Sequence, residues 1–226
     1  MTTQVKYKLG EREDNGLCRV IALVAFSDVA AGDVGGYVEA ERNLAHAGDA
    51  WVSGNARVFE NARVSGNALV SGNARVSGDA RVSGDARVSG DALVFGDAQV
   101  FGDAQVFGDA QVFGNALVSE NALVSGNALV SGNARVSGDA RVSGDARVSG
   151  DARVTAVCTT TPKVIIGLQY HLTVTDEHLR AGCQVYTFQE WRNKTEREVL
   201  VMDGKAALVF YKETLIPLMD VLKLGV

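Results

Sequence analysis

The chain has three histidines, His46, His171 and His178, and histidine is the side chain best suited to act as a general base near neutral pH. Its three cysteines, Cys18, Cys158 and Cys183, are odd in number and far apart. They fit neither a metal-ligand spacing nor a disulfide framework, and they suit a reducing compartment. The most regular titratable groups are acids. Asp79, Asp85, Asp91, Asp97, Asp103 and Asp109 recur every six residues, and Asp139, Asp145 and Asp151 do so again. Stacked carboxylates could bind calcium or imitate the phosphates of DNA. Against calcium, the nine-residue G-G-x-G-x-D pattern of calcium-binding rolls is missing. Against mimicry, nine Arg accompany eleven acids over Val52–Arg153. The simpler expectation is that each Asp or Asn bonds its own corner backbone, with neighbouring Arg damping repulsion.

Those acids belong to a repeat. Val52–Arg153 divides into seventeen hexads of the form V-S-G-N/D-A-R, such as Val76-Ser77-Gly78-Asp79-Ala80-Arg81. Val opens every hexad and Ala is fifth in every one; the fourth residue is always Asn or Asp, and the third is Gly except at Glu60 and Glu120. Side chains alternate along a strand, so Ala and Val share one face while the variable residue and Ser or Phe share the other. The apolar pair belongs inside, which makes Ala104 a core residue. Gly with Asn or Asp forms the corner, since either member accepts a positive φ. A short strand and a corner, repeated without interruption, make a solenoid. Three hexads per coil would close a triangle; two would give a flattened roll, and spacing alone admits both.

V-x-G-D-A-x resembles the hexapeptide repeat of left-handed parallel β-helix proteins, whose rule is an aliphatic residue with a small one four places later. The resemblance implies a mainly β fold: a left-handed parallel β-helix with three short strands per coil. Gly32-Asp33-Val34-Gly35-Gly36-Tyr37-Val38-Glu39, Asn43-Leu44 and Asp49-Ala50-Trp51-Val52 also resemble the opening of phage- and prophage-encoded hexapeptide-repeat proteins, often labelled transferases. So do Thr173-Val174-Thr175-Asp176, His178, Gly182-Cys183 and Thr187-Phe188-x-Glu190-Trp191, which resemble the C-terminal domain of the same proteins.

Counting back in sixes puts Val34 and Val38, Ala40 and Leu44, and His46 and Ala50 on inward positions. The expected organisation is therefore an N-terminal cap at 1–29, a β-helix at 30–154 and a small α+β domain at 155–226. In that domain Lys163–Leu168, Tyr170–Thr175 and a stretch near Cys183–Tyr186 read as strands. Thr187-Phe188-Gln189-Glu190 is a capping box that should start a helix, and a second helical pattern runs from about Lys205 to Leu222, with Pro217 kinking or ending it.

Hexapeptide β-helices include acyltransferases, which resemble one another in a general-base histidine on a coil beside an interrupting loop. The seventeen hexads hold neither. His46 reads as buried or cap-bonded, His171 as part of a strand and His178 as part of a solvated turn. The three-histidine cluster of the related carbonic anhydrases is missing too. No catalytic, cofactor-binding or metal-binding residue is assigned, and no cofactor is expected.

The outward positions carry more information. They are Arg and Ser at both ends of the repeat. In the middle Phe95, Phe101, Phe107 and Phe113 replace Ser, and Leu93, Leu117, Leu123 and Leu129 with Gln99, Gln105 and Gln111 replace Arg. Leu69 is a further outward leucine. An apolar belt usually marks association, so Leu93, Phe95, Phe101, Phe107, Phe113, Leu117 and Leu123 are the candidate oligomer interface. Hexapeptide β-helices commonly form parallel trimers, so the resemblance favours a homotrimer, with a dimer next.

A net charge of −5 argues against direct nucleic-acid binding. No apolar run reaches membrane-spanning length and no basic-then-apolar leader opens the chain, so the expected setting is cytoplasmic, the host bacterial cytoplasm if phage-encoded. Three readings follow: a non-enzymatic phage protein that binds a host or defence component and associates with itself; an acyltransferase-like enzyme with an unidentified site; and an acidic DNA mimic.

Overall fold

The computed structural model describes residues 5–225, and the chain divides into two units, Met1–Thr161 and Pro162–Val226. In the first unit each hexad supplies a two-residue strand built from its variable residue and the next Val, as in Arg57–Val58, Arg63–Val64 and Leu69–Val70. Each strand pairs in parallel with the strand eighteen residues on: Trp51 lies beside Leu69, Arg57 beside Arg75 and Arg63 beside Arg81. Eighteen residues are three hexads, so the coil is three-sided and the flattened roll is excluded. Two faces hold seven parallel strands and the third holds six. The Val and Ala of every hexad are buried, Ala104 completely.

The corners work as expected for glycine. Gly84 sits at φ +69°, and a Cβ there would lie 2.9 Å from the Gly102 nitrogen of the next coil. Both positive φ and stacking therefore select glycine. Glu60 and Glu120 adopt the same left-handed backbone at φ 58° and 59°.

Each coil bonds to the next. Trp51 N–H donates to the Ala68 carbonyl at 3.0 Å and Ser53 N–H to Val70 at 2.9 Å, and the pattern repeats up the stack. Carbonyl oxygens of the first coil thus have no preceding coil to serve them, so the cap must bring donors. Strands β1 (Tyr7–Arg12), β2 (Cys18–Ala22) and β3 (Val34–Val38) form an antiparallel meander, and β3 then pairs in parallel with Arg57–Val58. Asn43 Nδ2 donates to the carbonyls of Glu60 and Ala62 at 3.0 and 2.8 Å, and Arg19 to those of Gly35 and Gly54. Lys6, almost fully buried, donates from Nζ to Gly48 and Ala50 at 2.9 and 2.7 Å and lies over the Phe26 ring.

The extrapolated inward positions hold in part. Val38, Leu44 and Ala50 are buried, but Val34 is 64% exposed, because β3 starts as a partner of the meander before it enters the coil. At the other end the coil runs past residue 154, since Val157–Cys158 pairs in parallel with Arg141–Val142.

Burial pushes the Lys6 pKa below 10.5, while Asp49 partly opposes this. The cost of the desolvated charge is therefore present at neutral pH and is relieved as pH rises toward 10.5. Its two hydrogen bonds offset part of that cost and satisfy carbonyls of Gly48 and Ala50 that would otherwise lack a donor. Replacing Lys6 by Met is expected to lower stability by about 1–2 kcal/mol, mainly through the stranded Ala50 carbonyl. Urea denaturation measures it; an unchanged midpoint would mean that water serves these carbonyls equally well.

The second unit is a four-stranded antiparallel sheet, in the order Lys163–Ile165, Leu172–Val174, His178–Ala181, Gln184–Thr187, packed with helices. Its core gathers Leu172, Leu179, Trp191, Phe210, Leu215 and Met219. Helix α1 (Phe188–Arg192) begins at the expected box: Thr187 caps Glu190 N–H, and the Glu190 carboxylate accepts from Thr187 N–H at 2.8 Å. Helix α2 (Glu196–Phe210) starts earlier than the sequence pattern indicated, at a second box formed by Thr195 and Glu198. It is broken at Asp203 and Gly204, so the expected start near Lys205 corresponds to its resumption. Pro217 does not end the helical run. A wide helical turn at Tyr211–Leu215 leads into α3 (Ile216–Val221), which holds Pro217 in its first turn, so the helix is distorted at the proline rather than ended by it. Among the described residues no helix is long and apolar enough to cross a membrane.

Candidate binding surfaces

The register places the outward side chains on three faces. One carries Arg75, Leu93, Gln111, Leu129 and Arg147 in sequence up the stack; the second Arg87, Gln105, Leu123 and Arg141; the third Arg81, Gln99, Leu117 and Arg135. On each face an uncharged middle is flanked by Arg, and on the second face the ladder continues beyond Arg87 to Leu69 and Trp51 and beyond Arg141 to Val157. The waist therefore encircles the coil.

The phenylalanines occupy its three corners. Phe95 and Phe113 share one corner and stack with centroids 4.9 Å apart and planes 3° from parallel. Phe101 and Phe107 stand at the other two, between Val100 and Gln105 and between Val106 and Gln111. All four are half-buried rather than fully outward, because a corner residue leans on its neighbours along the stack. The corner with the stacked pair is flanked by Leu93 and Leu117, and this is the waist's largest run of aromatic surface.

The acids behave differently from expectation. In most places where an Asn precedes an Asp or another Asn by one coil, the side chains bond up the stack rather than to their own corner backbone; among the described residues Asp79, Asp97, Asp103 and Asp109 do not join these bonds. Asn67 Nδ2 donates to Asp85 at 3.0 Å, Asn73 to Asp91 at 3.0 Å, Asn121 to Asp139 at 3.0 Å and Asn127 to Asp145 at 2.9 Å. A further column runs from Asn115 to Asn133 to Asp151. An amide has the donor a carboxylate lacks, so a run of Asn followed one coil later by Asp makes a bonded ladder. Among the described residues no three His, Cys, Asp or Glu side chains gather where they could hold a metal ion.

The histidines lie apart in role. His46 is half-buried, accepts from Lys6 N–H through Nδ1 at 3.2 Å and stacks on Tyr7 at 4.2 Å, so it is bonded to the cap. His171 is exposed just before the strand Leu172–Val174. His178 is not in a turn: it opens the strand His178–Ala181, half-buried, with Nδ1 enclosed and unpartnered. Alternation was masked there by Asp176-Glu177, which read as turn residues. Of the cysteines, Cys18 and Cys158 are buried and Cys183 is exposed.

The C-terminal unit contains a cavity of about 260 Å3 that sequence reasoning did not anticipate. Its wall is apolar, with Trp191, Val199, Met202, Ala207, Phe210 and Leu215, and its rim is polar, with Tyr170, Gln184 and Asp203. The Tyr170 hydroxyl donates to Asp203 Oδ2 at 2.6 Å, and this bond raises the tyrosine pKa, keeping it a donor. Lining residues come from two strand ends and two helices far apart in sequence, so no local motif marks the site.

Comparison with known families bears on the coil. The family described as the YdcK beta solenoid repeat matches six stretches, residues 62–78, 74–88, 86–102, 110–126, 122–138 and 134–149. Each stretch is close to one eighteen-residue coil, and together they lie within the hexads. The protein is a β-solenoid repeat protein. The matches leave the solenoid's cap and the whole C-terminal unit outside. No curated protein matches the chain.

Proposed function

We propose that this β-solenoid protein acts by association rather than catalysis: it assembles as a homotrimer through its waist and carries its C-terminal unit to a macromolecular partner. The observation behind this is the corner formed by Phe95 and Phe113. In a parallel trimer of three-sided prisms, one corner from each subunit meets at the axis, and the two flanking faces meet two neighbours. The stacked pair would lie at that axis, with Leu93 and Leu117 beside it and the Arg-bearing ends of these two flanking faces outside the contact. Phe101, Phe107 and Leu123 extend the same belt around the coil. A dimer is the next arrangement.

The likeness of the chain's opening and C-terminal stretch to phage and prophage hexapeptide-repeat proteins supports a phage setting and a host or defence component as partner. The C-terminal unit leaves Val201, Val209 and Val221 exposed on its helices, as a binding unit would. Light scattering of the intact chain tests the assembly: the expected mass is three times the 23.8 kDa of one chain. A monomer at micromolar concentration would overturn the reading. A pull-down from bacterial lysate, read by mass spectrometry, tests the partner. A protein held by the intact chain should be lost from a Trp191→Ala variant, whose C-terminal core is broken.

A further inference from the structure

The cavity of the C-terminal unit has a size, a wall and a single charge, and together these specify a ligand class. An apolar cavity of about 150 Å3 takes benzene, so one of about 260 Å3 takes a body of roughly nine or ten heavy atoms. The wall supplies Trp191 and Phe210, aromatic surfaces suited to a ring or short alkyl body. Among the lining residues Asp203 alone is charged, and it stands at the rim, held by Tyr170. The backbone supports this placement independently. Helix α2 is interrupted at Asp203 (φ −156°, ψ 43°) and Gly204 (φ 61°, ψ −149°), and glycine is the residue that tolerates the second of these conformations. The interruption forgoes helical hydrogen bonds and sets the carboxylate at the opening. Strained backbone of this kind concentrates at ligand sites.

We propose that this cavity binds a small amphipathic cation of the arylalkylamine class, with the ring in the apolar wall and the ammonium on Asp203 beside the Tyr170 hydroxyl. A charge-assisted bond at the solvated rim of an apolar cavity favours a cationic over an anionic head of equal size.

The test titrates the full-length protein with phenethylammonium, phenylacetate and ethylbenzene, followed by calorimetry and by the indole resonance of Trp191. The expected result is saturable binding of one phenethylammonium per chain, at least about tenfold tighter than phenylacetate or ethylbenzene. Asp203 is exposed, so Asp203→Asn should fold normally, keep an acceptor for Tyr170 and remove the preference for the cation. Ala207→Leu, which fills the cavity, should abolish binding of all three probes. Absence of saturable binding of any probe to the wild type at millimolar concentration would overturn the proposal. So would phenylacetate or ethylbenzene binding as tightly as the amine, or an Asp203→Asn variant that keeps the full preference.

Discussion

Replacing Phe95 and Phe113 together by Ser is expected to convert the proposed trimer into single chains without unfolding the coil. Ser is the residue that twelve of the seventeen hexads carry at this position, so the substitution restores the common repeat and leaves Val and Ala inside untouched. The loss is on the surface. Each ring is half-buried in the single chain and presents the remainder to a partner, and truncation of a central aromatic anchor in an interface costs about 2 kcal/mol or more. Two such anchors in each of three subunits should raise the dissociation midpoint by well over a hundredfold. The stacked geometry explains why this pair matters more than Phe101 and Phe107: their rings form one continuous surface, whereas the other two stand singly at separate corners. Sedimentation equilibrium across a micromolar range decides it, with circular dichroism to confirm the fold. A double variant that remains as large as the wild type would place the contact elsewhere.

Ala104→Leu is expected to destabilise the solenoid by about 1–3 kcal/mol through overpacking. Ala104 is fully buried, with Ala86 and Ala122 one coil below and above it, both equally buried. The interior of a three-sided coil is narrow, and each coil fills it with three Val and three Ala. A leucine adds three carbons with no neighbouring cavity to take them. The coils lie one strand spacing apart, about 4.8 Å, so relief along the axis is blocked as well. Stacked repeats share interface energy with their neighbours, so the strain should spread over the adjacent coils and lower the urea midpoint of the whole stack. A Leu variant as stable as wild type would show that the interior has slack that the Val and Ala columns do not reveal.

The residues by themselves determined a good deal of this protein. The V-x-G-N/D-A-x hexad settled which side chains face inward, because alternation along a strand and the need to bury Val and Ala leave one arrangement. It also settled the corners, since Gly84 and its equivalents need a conformation open to glycine. Thr187 and Glu190 located the start of α1 because a capping box is a contact between residues three apart. The tertiary structure decided what depends on contacts farther along the chain. Three hexads per coil cannot be read from a six-residue period, so the Asn67–Asp85 ladder, which joins residues eighteen apart, was invisible while the coil size was open. Lys6 became a cap only because the carbonyls of Gly48 and Ala50 lie at the start of the stack, with no earlier coil to serve them. Val34 left the interior because the meander claimed β3 first. The cavity beneath Asp203 is the clearest case: its wall is assembled from Trp191, Val199, Ala207 and Phe210, and its charge is aimed by a break in a helix that local propensity does not announce. Local rules act over a few residues, while a site of this kind exists only once separate elements have packed and left a space between them.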